Sequence, residues 1–219
     1  MELLLLGKDR EDFYFQKAID FLKLHLKDFS IQLAKPAEPY PDSLNEWEGD
    51  YILSYLCPWP LPQKLLNHAR KGAINFHPGP PGYPGTGCTN FAIYNQETVY
   101  GVTCHYMVPV VDSGGIIDVK RFDVLENDTV FSLTQRCYAY MLVQFYEIIT
   151  HIVSGDPLPV SVETWTRPAY QRKELSALKM IDLTMTEGEI KRRIRASAYP
   201  GTPGAYIIIG GERFEHRPE

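Results

Sequence analysis

The sequence predicts an α/β fold: a mostly parallel sheet flanked by helices, with a small C-terminal helix and β-hairpin appended. Three observations lead there. Short apolar runs alternate with stretches of helical period through the first half of the chain. Pro, Gly and Asp mark the ends of the runs. A long amphipathic pattern from about residue 127 to 154 is wide enough to cover a sheet face. The 219 residues suffice for one good core, or for one domain with a small appendage. We divide them into a main domain over residues 1–156 and an extension over 157–219.

The elements follow in order. Glu2 to Leu6 is an apolar run ending at Gly7, as a buried first strand would be. Phe15, Ala18, Ile19, Leu22 and Leu26 lie at helical spacing within Phe13 to Leu26. Phe29 to Ala34 reads as a second strand, and residues 35–49 as surface connections rich in Pro, Asp and Glu. Tyr51 to Leu56 is a central strand, stopped by Pro58, Pro60 and Pro62. Lys64 to Arg70 makes a short helix and Ala73 to Phe76 returns as a strand; this alternation predicts right-handed parallel crossovers. The run Pro78-Gly79-Pro80-Pro81-Gly82-Tyr83-Pro84-Gly85-Thr86-Gly87 permits neither helix nor central strand and predicts a stiff, extended loop. Tyr100 to Met107 and Ile116 to Val124 are two further strands, joined by a turn that contains Asp112. Asn127 or Asp128 is expected to cap the long helix, whose apolar face holds Leu133, Cys137, Met141, Phe145, Ile148 and Ile152, and Gly155 to end it. Thr186-Glu187-Gly188-Glu189 opens a short basic helix running to Arg195. Tyr206 to Ile209, Gly210-Gly211 and Glu212 to Glu215 spell a hairpin.

Composition removes several functions. Hydrophobic residues at 44% and charged residues at 22% describe a globular chain. A net charge of −5 argues against strong non-specific nucleic-acid binding. Leu3 to Leu6 is too short for a signal peptide or a membrane span, so a soluble cytoplasmic protein is expected. Cys57, Cys88, Cys104 and Cys137 form no CxxC; free thiols and no metal site are the reading.

The chemistry gathers at Asn75, His77 and Asp112, in Ile74-Asn75-Phe76-His77-Pro78 and Val111-Asp112-Ser113-Gly114-Gly115. Ligands of open parallel sheets bind beyond the carboxyl ends of the strands, where Asn75 and His77 fall. An amide and an imidazole can donate hydrogen bonds to an oxyanion, and a carboxylate can hold the imidazole protonated and help relay a proton. Acyl transfer to an amine suits this set, by direct attack, because no serine or cysteine is placed as a nucleophile.

The same segments, with Gly101-Val102-Thr103-Cys104-His105 and the continuation Ile116-Ile117, resemble those of the formyltransferases that use N10-formyltetrahydrofolate. The pairing of N-x-H-P with D-S-G-x-I-I is specific, and the likeness is clear over roughly residues 50–150. It implies a Rossmann-like domain, formyl transfer through Asn75, His77 and Asp112, and N10-formyltetrahydrofolate as cosubstrate. It also implies a folate pocket at Ser54, Tyr55, Leu56 and Pro58 and along the loop with Val108, Val110, Val111 and Gly114. Pro80 to Gly85, Tyr170 to Leu175 and Tyr199 to Tyr206 look most like the sugar N-formyltransferases. That implies a nucleotide-linked amino sugar as acceptor, a cleft wall including Pro80, Tyr83 and Gly85, and a homodimer through the C-terminal region. Glycinamide ribonucleotide as acceptor, or hydrolysis of formyltetrahydrofolate, are the alternatives. The acidic balance weakens a tRNA acceptor, and the lack of GxGxxG after the first strand weakens a nicotinamide enzyme.

Other features have plainer readings. His105 is taken as a hydrogen-bonded core histidine, with bracing of the Asp112 loop as the alternative. Lys191, Arg192, Arg193 and Arg195 are taken as a solvated helix face rather than a diphosphate grip. Trp59, Tyr83, Tyr94 and Trp165 are taken as packing rather than as base-stacking groups.

Overall fold

The computed structural model describes residues 1–9, 12–35 and 38–217. Its sheet contains β1 (Leu3–Lys8), β2 (Ser30–Ala34), β3 (Gly49–Tyr55), β4 (Ala69–His77), β5 (Val99–Tyr106) and β6 (Ile116–Asp123), in the order β2-β1-β3-β4-β5-β6. The pairings among β2, β1, β3 and β4 are parallel; β5 runs antiparallel to both β4 and β6. The sheet is therefore mainly parallel, as expected, with one strand reversed.

Period-two alternation divides the sheet into two faces. Leu3, Leu5, Leu53, Tyr55, Ile74, Phe76, Val102 and Cys104 enter the larger core. There they meet α1 (Phe13–His25), α3 (Cys88–Asn95) and α4 (Val130–Ser154). Tyr55, Phe76 and Phe145 pack ring to ring, with centroids 5.1–6.0 Å apart. Leu4, Leu6, Ile52 and Ala73 point the other way, onto Leu44, Leu61, Leu65 and Leu66. That second face is covered by a 3-10 turn at Asp42–Glu46, the five-residue α2 (Gln63–Asn67) and connecting residues that include Tyr40, Trp47, Trp59 and Leu61. Its helical cover is too short to reach past the carboxyl ends of β3 and β4, and the polar residues of those ends lie there.

Several local expectations are corrected. The second short helix ends at Asn67, and Ala69 and Arg70 already belong to β4. The cap of α4 is Thr129, not Asn127 or Asp128: its side chain accepts from the Ser132 N–H and Ser132 reciprocates. Asp128 instead pairs with Arg136 and accepts from the Leu125 N–H. Two helices had no sequence expectation, α3 and α5 (Arg172–Lys179). In the basic cluster on α6 (Glu187–Ser197), Lys191 and Arg195 are exposed, as expected of a solvated face, but Arg192, Arg193 and Arg195 also make specific bonds. Arg192 and Arg193 bind Glu189, Arg193 also donates to the carbonyls of Ala177, Leu178 and Met180, and Arg195 to those of Glu126 and Asp128. These cations satisfy orphan carbonyls at the end of α5 and before α4.

The hairpin of β7 (Tyr206–Ile209) and β8 (Glu212–Glu215) forms as expected, turning through Gly210 and Gly211 at φ 59° and 86°. The chain after residue 156 does not stand apart: Leu178 and Ala196 are buried in the main core, and Tyr170 stacks on Phe91 at 3.9 Å. Among the described residues no helix is long and apolar enough to cross a membrane.

Candidate active site

Asn75 and His77 are two residues apart on β4 and so share a face, the second one, at its uncovered end. The register sets Asn75 opposite His105 on β5 and beside Ser54 on β3. The loop between β5 and β6 folds back over this end. Asp112 sits in it at φ 46°, a conformation uncommon for any residue but glycine, and one found at functional sites. Gly114 is needed for the fold-back, since a Cβ there would collide with the Tyr106 carbonyl.

The three side chains converge. His77 Nδ1 lies 3.2 Å from Asp112 Oδ2, and Asn75 Nδ2 lies 3.4 Å from Asp112 Oδ1. His105 Nε2 is 3.2 Å from the same Oδ1 and 3.1 Å from Asn75 Nδ2. The Gly85 N–H donates to Asp112 Oδ2 at 2.7 Å. His77, Asp112 and His105 are only 5%, 7% and 2% exposed, whereas Asn75 is half-buried and reaches the opening.

The hydrogen-bond network assigns the His105 Nδ1 proton. His105 Nδ1 is 2.8 Å from the Tyr106 carbonyl and donates to it, while its Nε2 lies within hydrogen-bond distance of both Asp112 Oδ1 and the Asn75 amide. His77 faces two acceptors, Asp112 through Nδ1 and the Tyr83 carbonyl through Nε2 at 2.8 Å. His105 thus takes both readings considered from sequence, being buried and hydrogen-bonded while also bracing Asp112 and Asn75.

Burial by itself would raise the Asp112 carboxyl. The His77 charge, the bond from His105 and the Gly85 N–H outweigh burial and hold it far below the usual carboxylate range. A carboxyl depressed in the folded state stabilises the fold above its unfolded pKa of about 3.9. That contribution is lost as pH falls from there toward the folded value. The free energy of unfolding should therefore drop more steeply below pH ~4 in the wild type than in Asp112→Asn. Equal slopes in acid titrations of the two proteins would show that this carboxylate is not stabilised as described.

A cavity of about 370 Å³ opens beside the cluster, walled by Asn75, His77, His105 and Asp112. Of the residues expected at a folate pocket, Ser54, Leu56, Pro58, Val108 and Val111 line it; Tyr55, Val110 and Gly114 do not. Tyr55 points into the opposite core, Val110 faces solvent, and Gly114 gives its carbonyl to the Trp165 indole N–H at 2.8 Å. Of the expected cleft wall, Gly85 lines the cavity, while Pro80 and Tyr83 lie buried behind it. Tyr83 is anchored by Glu97 and Asn95 through its hydroxyl, and contributes to the site only the carbonyl that His77 meets. Trp165, read as packing, stands edge-on to the rings of His105 and His77, at 5.0 and 6.0 Å. Arg172, at the start of α5, lines the cavity as well and had no sequence signal beyond its place in Tyr170 to Leu175.

Residues 17–142 match the profile of a family described as formyl transferase. The chain belongs to the formyl transferase family. This formyltransferase is 32% identical over 192 residues to the GDP-perosamine N-formyltransferase of Brucella melitensis, an alignment covering 87% of this chain and 73% of that protein. Solved structures share its fold. A sugar N-formyltransferase from a Shewanella species superposes with a TM-score of 0.79 at 20% identity, over 99% of this chain and 96% of that one. An N-formyltransferase from Helicobacter canadensis, in complex with folinic acid and dTDP-3-aminofucose, superposes with a TM-score of 0.69 at 19% identity, over 89% and 79%.

Proposed function

We propose that the chain transfers the formyl group of N10-formyltetrahydrofolate to the amine of a nucleotide-linked amino sugar, through Asn75, His77 and Asp112. The observation that carries this reading is the meeting of those three side chains at the wall of a cavity, in a chain of this family. The Brucella relative is named for GDP-perosamine and the Helicobacter protein was crystallised with dTDP-3-aminofucose; both names describe nucleotide-linked amino sugars.

The cavity suits a flat heterocycle. Leu56, Pro58, Val108 and Val111 offer apolar faces, and Leu56, at φ 60°, turns the main chain away from β3 at the pocket. A volume of about 370 Å³ lies within the usual range for small-molecule sites. The donor supplies an activated one-carbon acyl group. The acceptor amine forms a bond to the formyl carbon, the bond from that carbon to the donor nitrogen breaks, and one proton passes between the two nitrogens.

The chain's part is to hold charge and to move that proton. The Asn75 amide makes its longest bond to Asp112, so it is the donor most easily turned onto the developing oxyanion. One such donor is worth about 3–4 kcal/mol of barrier. On this reading Asp112 holds His77 protonated between itself and the Tyr83 carbonyl, and the ring adds positive charge beside it. Asp112 accepts the proton of the attacking amine and returns it to the leaving nitrogen. A covalent acyl-thiol is disfavoured: Cys88, the nearest thiol to His77 in the loop that follows it, donates to the Pro78 carbonyl, and burial pushes it up to about 11.

The C-terminal hairpin leaves Ile208, Ile209 and Phe214 each more than half exposed, which supports its use as a homodimer surface. The decisive test of the reaction is incubation with N10-formyltetrahydrofolate and GDP-, UDP- and dTDP-linked amino sugars, followed by mass spectrometry. One sugar should gain a single formyl unit. Tetrahydrofolate released as fast without any amine, with no formylated sugar, would establish hydrolysis instead.

A further inference from the structure

Arg172 is the only lysine or arginine among the residues that line the active-site cavity. No hydrogen bond or ion pair joins its guanidinium to any described residue. Arg167, earlier in the same segment, is by contrast held by Glu174 at 3.0 Å and lies over the Tyr170 ring at 3.1 Å. The one acid of the cavity wall, Asp112, is already engaged by His77, His105 and the Gly85 N–H. The opening therefore carries a spare positive charge on an exposed side chain at its rim.

The position of that charge relative to the reaction centre is set by main chain. The Tyr170 N–H donates to the Pro84 carbonyl and the Thr86 N–H to the Tyr170 carbonyl, both at 2.9 Å, so the segment before α5 lies as a strand beside the loop that follows His77. Gly85, between Pro84 and Thr86, donates to Asp112. Only Gln171 separates Tyr170 from Arg172, so a short, bonded path holds the cation near Asp112. Gly85, Thr86 and Arg172 form one side of the cavity; the apolar side chains Leu56, Pro58, Val108 and Val111 form another.

We propose that Arg172 binds the diphosphate of the acceptor and so places its amine at Asp112. The proposal rests on the reading of the reaction above and adds to it the residue that selects the anionic carrier. A guanidinium pairs with phosphate oxygens through two parallel N–H bonds, which fixes both distance and direction. The apolar side is left to the formyl donor. The donor's own carboxylates are the competing anionic partner for Arg172, and the experiment separates the two.

Isothermal titration of the wild type, Arg172→Gln and Arg172→Lys with GDP, UDP and dTDP, and separately with folinic acid, provides the test. The Arg172 side chain is exposed and bonded to no other described residue, so both variants should fold. The wild type should bind at least one nucleoside diphosphate. Arg172→Gln should weaken it ~10- to 100-fold, the span expected for loss of hydrogen bonds to a charged group. Arg172→Lys should fall between, keeping the charge but not the paired geometry. Folinic acid affinity should be unchanged throughout. Equal affinity of wild type and Arg172→Gln for the nucleoside diphosphates, no binding of any of them by the wild type, or a loss confined to folinic acid would each overturn the proposal. Failure of folinic acid to bind the wild type at all would strike the underlying reaction instead.

Discussion

Replacing Asp112 with Asn should lower kcat by about 10²- to 10⁴-fold, the usual worth of a positioned proton-transfer group. The substitution preserves size, and the Gly85 N–H can still donate to the new amide oxygen. It removes the negative charge beside His77 and, on the proposed reaction, the oxygen that takes the amine's proton. Circular dichroism and thermal melts at neutral pH should show a folded protein. His77→Asn should cost a similar factor. The double variant should be little worse than either single one, because residues acting as a unit are not additive. Purified Asp112→Asn protein turning over at close to the wild-type rate would falsify the assignment of Asp112.

Substituting Gly85 by Ala should lower activity by roughly 100-fold, although residue 85 carries no reactive group. Gly85 has φ 85°, which disfavours any Cβ, and an added Cβ would lie 2.5 Å from the Tyr170 carbonyl oxygen and 2.6 Å from its nitrogen. Either the strand-like pairing of residues 84–86 with Tyr170 opens, or residue 85 moves off Asp112. Both displace the acid by a fraction of an ångström to an ångström, and misplacement on that scale is costly to proton transfer. The loss should appear mainly in kcat. As a comparison, Gly188→Ala meets nothing within 4 Å of the added carbon and should be silent. If Gly85→Ala keeps full activity, the tie between the loop and Asp112 does not hold the reaction centre in place.

The parts of the site that announce themselves in the sequence are those whose residue types conflict with their surroundings. An Asn and a His in an otherwise apolar strand, followed by a Pro/Gly run, have no good structural use, and the Asp112 turn supplies their counterpart. Arg172 and Trp165 carry no such conflict: a surface arginine and a half-buried tryptophan look alike whether or not they border a cavity. Their place depends on the pairing of Tyr170 with residues 84–86, a long-range contact with no local signature. The missed helices have similar causes. α3 buries Cys88, Thr89, Phe91, Ala92 and Ile93 on several sides and shows no polar stripe, while α5 buries only Leu178. The bonds of Arg193 and Arg195 to carbonyls of α5 and of the turn before α4 are long-range contacts, invisible in a local charge count.

The edge-on contact of Trp165 with both histidines and the pairing of Tyr170 with the Pro/Gly loop have a consequence for synthesis. A nascent polypeptide that has released only its sheet and long helix from the ribosome already holds the three reactive groups, but not the wall that closes behind them. Completion of the cavity therefore depends on the stretch around residues 165–172, which leaves the ribosome after the sheet and the long helix.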